Sequence, residues 1–262
     1  MAEQVNFLVS KWYADVVDEA TGNAAILYHS ELTWKKLKLR FSNQLQFTGQ
    51  QKLQSSASFT SYREPVWHDN QLHIHDSQVN AVWQSSAPCL TEKLLENESG
   101  HILWECIMPI AQGKVHFRNG EQYSGLGYAE RLTFSVKPWE MPIKVLHWGR
   151  FLAEHHAIVW IRWEGLAERN LIFYNGQKYT DGIVTEELLH FGTYQLRLKD
   201  KYTLRNGSLI TTVFRRFTWL KKLFPEGILN LQECKWQTHG QLYKNEHLIT
   251  TGWAIHEKVE WI

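Results

Sequence analysis

The feature that most narrows what this chain can fold into is that its second half repeats the first in outline. Trp12, followed by Ala25-Ile26-Leu27-Tyr28, finds a counterpart in Trp148, followed by Ala157-Ile158-Val159-Trp160. Leu39-Arg40-Phe41-Ser42-Asn43 answers to Leu171-Ile172-Phe173-Tyr174-Asn175, and Gln71-Leu72-His73-Ile74-His75-Asp76 to Gln195-Leu196-Arg197-Leu198-Lys199-Asp200. Leu90-Thr91 and Phe217-Thr218 each precede a short helical candidate. Leu103-Trp104-Glu105-Cys106 answers to Leu231-Gln232-Glu233-Cys234, and Gly127-Tyr128-Ala129 to Gly252-Trp253-Ala254. The six matches are collinear and drift only by loop-sized amounts, the pattern of a tandem supersecondary unit. Two units are expected, 1–135 and 144–262, joined by a proline-bracketed connection over 136–143.

Period-two alternation makes the repeated segments strands. In Lys35 to Phe41 the apolar residues Leu37, Leu39 and Phe41 fall on one side. Gln71 to Asp76 and Gln78 to Trp83 read as a hairpin, and Ile102 to Pro109 and Gly113 to Phe117 as strands with Arg118-Asn119-Gly120 as the following tight turn. Gln50 to Ser61 is polar and serine-rich, a loop or weak edge strand. Pro88 to Asn97 is expected to hold one or two helical turns around Leu90, Leu94 and Leu95. Many short strands in units of about 120 to 130 residues suit antiparallel barrels or sandwiches with few short helices. The connection, with Trp139, Met141 and Ile143 among its prolines, is too apolar for a floppy linker and is expected to pack.

Composition sets limits on function. The net charge of +1 offers no field for nucleic acid or an anionic membrane. No stretch approaches the roughly 20 apolar residues of a spanning helix. Three cysteines, Cys89, Cys106 and Cys234, form no disulfide framework. No signal peptide is seen at the N-terminus, so a soluble cytoplasmic protein is expected. Thirteen Trp, ten Tyr and twelve Phe suit strands and deep apolar cavities.

Chemistry concentrates in two strands. Tyr128, Glu130, Leu132 and Phe134 share a face, and Trp253, Ile255, Glu257, Val259 and Trp261 share another. Each apolar stripe holds one carboxylate. Such a carboxylate either forms an ion pair with an inward arginine, with Arg131, Arg150 and Arg162 at hand, or serves as a proton donor kept neutral by burial. Trp12 and Trp148 read as the residues that start the two units. His73 and His75, with His68 or Asp76, share a strand face as zinc ligands would. Their counterparts Arg197 and Lys199 instead favour an exposed basic face, and no metal site is expected. His155-His156 reads as a solvated hairpin tip, and Arg215-Arg216 with Lys221-Lys222 as a solvated basic cluster. Gly125-Leu126-Gly127 lacks the third glycine and the helix of a dinucleotide fingerprint.

The runs GLGYAERLTF, PWEMPI, LHWGRF and VWIRW between Gly125 and Trp163, with GWAIHEKVEW near the end, resemble the two-domain lipocalin-like superfamily of carotenoid 1,2-hydratases and tocopherol-cyclase-like proteins. The resemblance implies two barrel-like units and an apolar ligand such as an isoprenoid, polyene or lipid, with no cofactor. The chain departs from the hydratase pattern, where His and Asp occupy the strand that here carries Tyr128 and Glu130. Cyclase-like, isomerase-like and purely binding roles stay open. The catalytic candidates are therefore Glu130, as acid, and Tyr128. Trp148, Trp160, Arg150, Glu257 and Trp253 are candidates for substrate binding, aromatic faces being the groups that stabilise a carbocation. Protein whose barrels are filled with side chains is the structural alternative.

Overall fold

The computed structural model describes residues 7–49, 52–166, 168–208 and 231–261. Phe217-Thr218 and the Arg215–Lys222 basic cluster lie outside the described residues. The chain divides into two compact units, Met1–Glu140 and Met141–Ile262. The first contains β1 (Phe7–Val17), β2 (Ala24–Trp34), β3 (Leu37–Thr48), β4 (Lys52–Ser58), β5 (Val66–His68), β6 (Gln71–His75), β7 (Val79–Ser85), β8 (Leu90–Asn97), β9 (Gly100–Phe117) and β10 (Gln122–Phe134). A single 3-10 turn over Pro138–Glu140 closes it. The second contains β11 (Ile143–Ala153), β12 (His156–Gly165), β13 (Arg169–Tyr174), β14 (Gln177–Tyr179), β15 (Ile183–Val184), β16 (Leu188–Phe191), β17 (Tyr194–Ser208), β18 (Gln232–Lys244) and β19 (His247–Glu260).

Each unit is one antiparallel sheet, and the two sheets have the same strand order. The first runs β4-β3-β2-β1-β10-β9-β7-β6-β5, with β8 added beside β9. The second runs β14-β13-β12-β11-β19-β18-β17-β16-β15. Position for position, β1 corresponds to β11, β3 to β13, β7 to β17, β9 to β18 and β10 to β19. Among the described residues both paths are open, ending on short edge strands, so neither sheet closes into a full hydrogen-bonded barrel.

Two expectations are corrected. Pro88 to Asn97 forms no helical turn: Leu90–Asn97 is β8, paired with β9 from Leu90↔Cys106 to Asn97↔Gly100. Leu94 and Leu95 are both buried, which a bulge between Lys93 and Leu95 permits and simple alternation would not. The segments before and after Pro109 are one strand, β9. Proline breaks a ladder because it lacks an N–H. Here it falls between the pairing of β8, which ends at Cys106, and that of β7, which begins at Ala111.

Both faces of the central strands are buried. Trp12 through Val17 in β1 are buried without interruption. On one face Trp12, Ala14 and Val16 join Leu27, Leu72, Ile74, Ala81, Trp83, Met108, Val115 and Ala129 in the core of the first unit. Trp83 packs so tightly that a Cβ on Gly127 would lie 2.6 Å from its ring, and its Nε1 donates to the Asp15 carbonyl at 2.7 Å. The second unit's core gathers Phe151, Ile158, Trp160, Ile172, Leu189, Phe191, Leu196, Leu242 and Ala254.

Trp12 and Trp148 do not play equal parts. Trp12 faces its unit's core, opposite His29 and Arg131. Trp148 faces the other way. The core-facing position in β11 is Gly149, and Trp160, its partner on β12, fills the space: a Cβ on Gly149 would meet the Trp160 ring at 2.2 Å. The large indole has moved to the neighbouring strand. Trp139 of the connection packs on Phe7 and Trp34, at centroid distances of 6.0 and 5.7 Å.

Candidate functional site

Four polar side chains stand on the first sheet's face opposite the Trp12 core. β1 supplies Tyr13 and Asp15; β10 supplies Tyr128 and Glu130. Pairing places Tyr13 opposite Glu130 and Asp15 opposite Tyr128. The Tyr13 hydroxyl donates along its own strand to Asp15 Oδ2 at 2.7 Å, and the Tyr128 hydroxyl likewise to Glu130 Oε2 at 2.7 Å. Trp104 Nε1 donates to the same Glu130 oxygen at 2.5 Å. Tyr28 completes the layer, with the Tyr13 ring 5.3 Å from its own and 6.0 Å from that of Tyr128. All of these residues are buried.

Local sequence explains the aim of these groups. The β9–β10 register shifts between Gly127 and Ala129 and again between Ala129 and Arg131. At each shift β9 takes three steps against two on β10, so the bulges lie in β9, while β10 keeps unbroken register with β1 and plain alternation sets Tyr128 and Glu130 on one face. The matching β18–β19 ladder is regular from Gln232 to Leu242. Burial pushes the Tyr128 hydroxyl and the Cys106 thiol beside it well above their ordinary pKa values, so both are neutral hydrogen-bonding groups at neutral pH.

In the second sheet, Trp148, Arg150, Glu257 and Trp253 share the face opposite their core. Pairing sets Trp148 opposite Glu257 and Arg150 opposite Ile255. Glu257 is ion-paired with Lys235, and the Lys235 ammonium lies 5.0 Å from the centre of the Trp148 ring. Arg150 is fully buried and donates to the Trp253 carbonyl at 2.7 Å. Trp160 lies apart from this group, in the core on the opposite face. Of the other arginines, Arg131 is engaged with Glu105 and Arg162 with Glu164.

Sequence reasoning missed Tyr13, Asp15, Trp104 and Cys106. The signal was there for Asp15, a carboxylate in the stripe Tyr13-Asp15-Val17. It also missed a buried pair at the far side of the sheet: His29 Nε2 lies 3.1 Å from Asp76 Oδ2, and Asp76 Oδ1 accepts from the Gln78 and Val79 amides. Asp76 therefore points inward, away from His73 and His75, which are exposed and bonded to Gln71 and Asn80. Among the described residues no group of three or more His, Cys, Asp or Glu could hold a metal ion, and no helix is long and apolar enough to cross a membrane. His155 is exposed, but His156 is not simply solvated: its Nδ1 lies 2.8 Å from the Tyr174 hydroxyl and its ring stacks on Tyr174.

Solved structures resemble this fold along nearly its whole length. A protein described as an AttH from Nitrosomonas europaea matches with a TM-score of 0.58 at 10% identity, covering 99% of this chain and 94% of that one. Kievitone hydratase from Nectria haematococca matches at 0.55 and 8% identity, covering 96% and 88%. CghA matches at 0.59 and 9% identity, covering 98% and 88%. No protein-family model matches the sequence, and neither does any curated protein. At these identities the likeness is one of fold: the chain has an all-β, two-unit lipocalin-like architecture.

Proposed function

We propose that this protein binds an apolar small molecule, of the isoprenoid, polyene or lipid class, and acts on it as a cofactor-free, acid-initiated cyclase, isomerase or hydratase. The observation that carries the reading is Glu130: a buried carboxyl held by Trp104 and Tyr128 through one oxygen, on a face lined by Tyr13, Tyr28 and Tyr128. Burial disfavours the charged form of a carboxyl, which suits an acid that keeps its proton for delivery. In the proposed step the alkene's π electrons form a C–H bond with that proton, leaving a carboxylate and a carbocation. The tyrosine rings stabilise the cation. Ring closure onto a second double bond moves the charge, and loss of a proton, directly or after capture of water, discharges it and returns that proton to Glu130. That a fold neighbour is named as a hydratase supports this class of reaction.

A non-catalytic binding protein is the second reading, favoured by the same two hydrogen bonds if they serve only to bury Glu130. Extraction of the purified protein and mass spectrometry of co-purifying apolar compounds supplies the substrate. Glu130→Gln keeps size and the hydrogen bonds to Oε but cannot donate the proton. Turnover should fall by at least about a hundredfold with ligand binding retained. Unchanged turnover rejects Glu130 as the acid; binding without turnover in either protein establishes the second reading.

A further inference from the structure

At the hairpin end of the first unit, a cavity of about 190 Å³ opens beside the core. Its wall is built of carboxamides: Gln44, Gln46, Gln54, Gln78 and Asn119. Ser55 and Ser56 add hydroxyls, Arg118 adds a guanidinium, and Phe117 supplies the apolar surface. No carboxylate lines it. Gln46 is 7% exposed on the core side of β3, where its Oε1 accepts from Asn119 Nδ2 at 3.3 Å. Gln44 Nε2 donates to Ser56 Oγ at 2.6 Å. The Phe117 ring is fixed edge-on against Tyr123 at 5.7 Å.

The fold does not require this polarity. At the corresponding end of the second sheet, β13, β16 and β17 present Tyr174, Phe191 and Tyr194, packed ring to ring at 4.6 to 5.9 Å and sealing the core. The same place is closed by aromatic rings in one unit and ringed by amides in the other. Burying an amide is unfavourable unless it is hydrogen-bonded. Here Gln46 is buried, Gln44 and Gln54 are half-buried, and Gln78 and Asn119 stand exposed at the rim; carboxamides converging from the core outward, where apolar packing is possible, point to a ligand that uses them.

We infer that this cavity is a binding site for a small, neutral, polyhydroxylated molecule, a monosaccharide or polyol. A carboxamide offers an acceptor and a donor side by side, which matches neighbouring hydroxyls on a sugar ring. Phe117 offers a face for the ring's C–H groups. The volume lies below the ~300–1,000 Å³ of drug-sized sites, which limits the ligand to about one ring. The inference is independent of Glu130, which does not line this cavity.

The test is amide-detected NMR titration of the full chain with glucose, myo-inositol and glucuronate. Glucose or myo-inositol should give saturable shifts at Gln44, Gln46, Gln78 and Asn119. Asn119→Ala, at an exposed turn, and Gln46→Leu should each weaken binding about five- to tenfold. If Gln46→Leu fails to fold, Asn119→Ala and Gln54→Ala carry the test. Absence of saturable shifts with both neutral probes overturns the inference. So does binding of glucuronate alone, lost on Arg118→Ala, which would make this an anion site. Shifts confined to other residues overturn it equally.

Discussion

Tyr13 stands directly opposite Glu130 across the β1–β10 ladder, yet its hydroxyl bonds Asp15, two residues along its own strand. Tyr128, opposite Asp15, does the same toward Glu130. The result is a square of two tyrosines and two carboxyl groups in a buried face, each tyrosine donating to its own strand's acid.

Removing one corner tests how tightly this arrangement is held. Tyr128→Phe deletes a donor to a buried carboxyl and should destabilise the protein by about 1–3 kcal/mol in urea unfolding. If Glu130 is the acid, turnover should also fall more than stability does, with the pH optimum displaced. A variant as stable as wild type would show that the bond contributes nothing net.

Acid should weaken the fold through two buried histidines. Burial lowers His29 to about 4, and burial, reinforced by Lys201, Lys235 and His147, lowers His256 to about 3. Both groups resist protonation when folded but accept it near pH 6.5 when unfolded. Their contribution is therefore complete above pH 6.5 and is progressively lost below it, by a few kcal/mol in total toward pH 4. Asp76, raised by burial, works in the opposite direction at lower pH. The Tm should drop between pH 7 and pH 5, and His29→Gln, which keeps an N–H toward Asp76, should flatten that slope. An unchanged slope would remove His29 from the account.

Lys235 and Glu257 form a nearly dry ion pair beside Trp148. Lys235→Met alone takes the buried ammonium away from the half-buried Glu257 and should cost about 3–5 kcal/mol. Adding Glu257→Leu should restore much of the loss, because two apolar side chains need no charge compensation. Denaturant midpoints of the two single variants and the double variant measure the coupling directly.

The three cysteines should differ in reactivity. Cys89 is exposed, whereas Cys106 is buried with its thiol pushed well up. In the native protein a thiol reagent should modify Cys89 rapidly and reach Cys106 only at the unfolding rate. Rapid native modification of Cys106 would reveal local opening around Tyr128.

Much of this architecture was legible in the chain. Alternation in Lys35 to Phe41 and in Gly127 to Phe134 marks strands because the pleat sends successive side chains to opposite faces. It also groups Tyr128 with Glu130 and Trp253 with Glu257. What it misreads are places where the ladder is irregular or the partner is distant. Leu94 and Leu95 imitate a helical spacing because a bulge buries both. His29 and Asp76 are 47 residues apart, and no local pattern joins them. Matching by identity also sets Trp12 against Trp148, one residue out of phase, because it tracks the indole and not the direction in which the strand presents it.

The displaced indole has a practical consequence for anyone recombining the halves. Gly149 is tolerable only because Trp160 leans across it, so a chimera that imports β11 without β12 would leave a hole, and one that imports β12 beside β1 would force two indoles into one space. Breakpoints placed outside the whole β11–β12 hairpin are the ones that should yield folded hybrids.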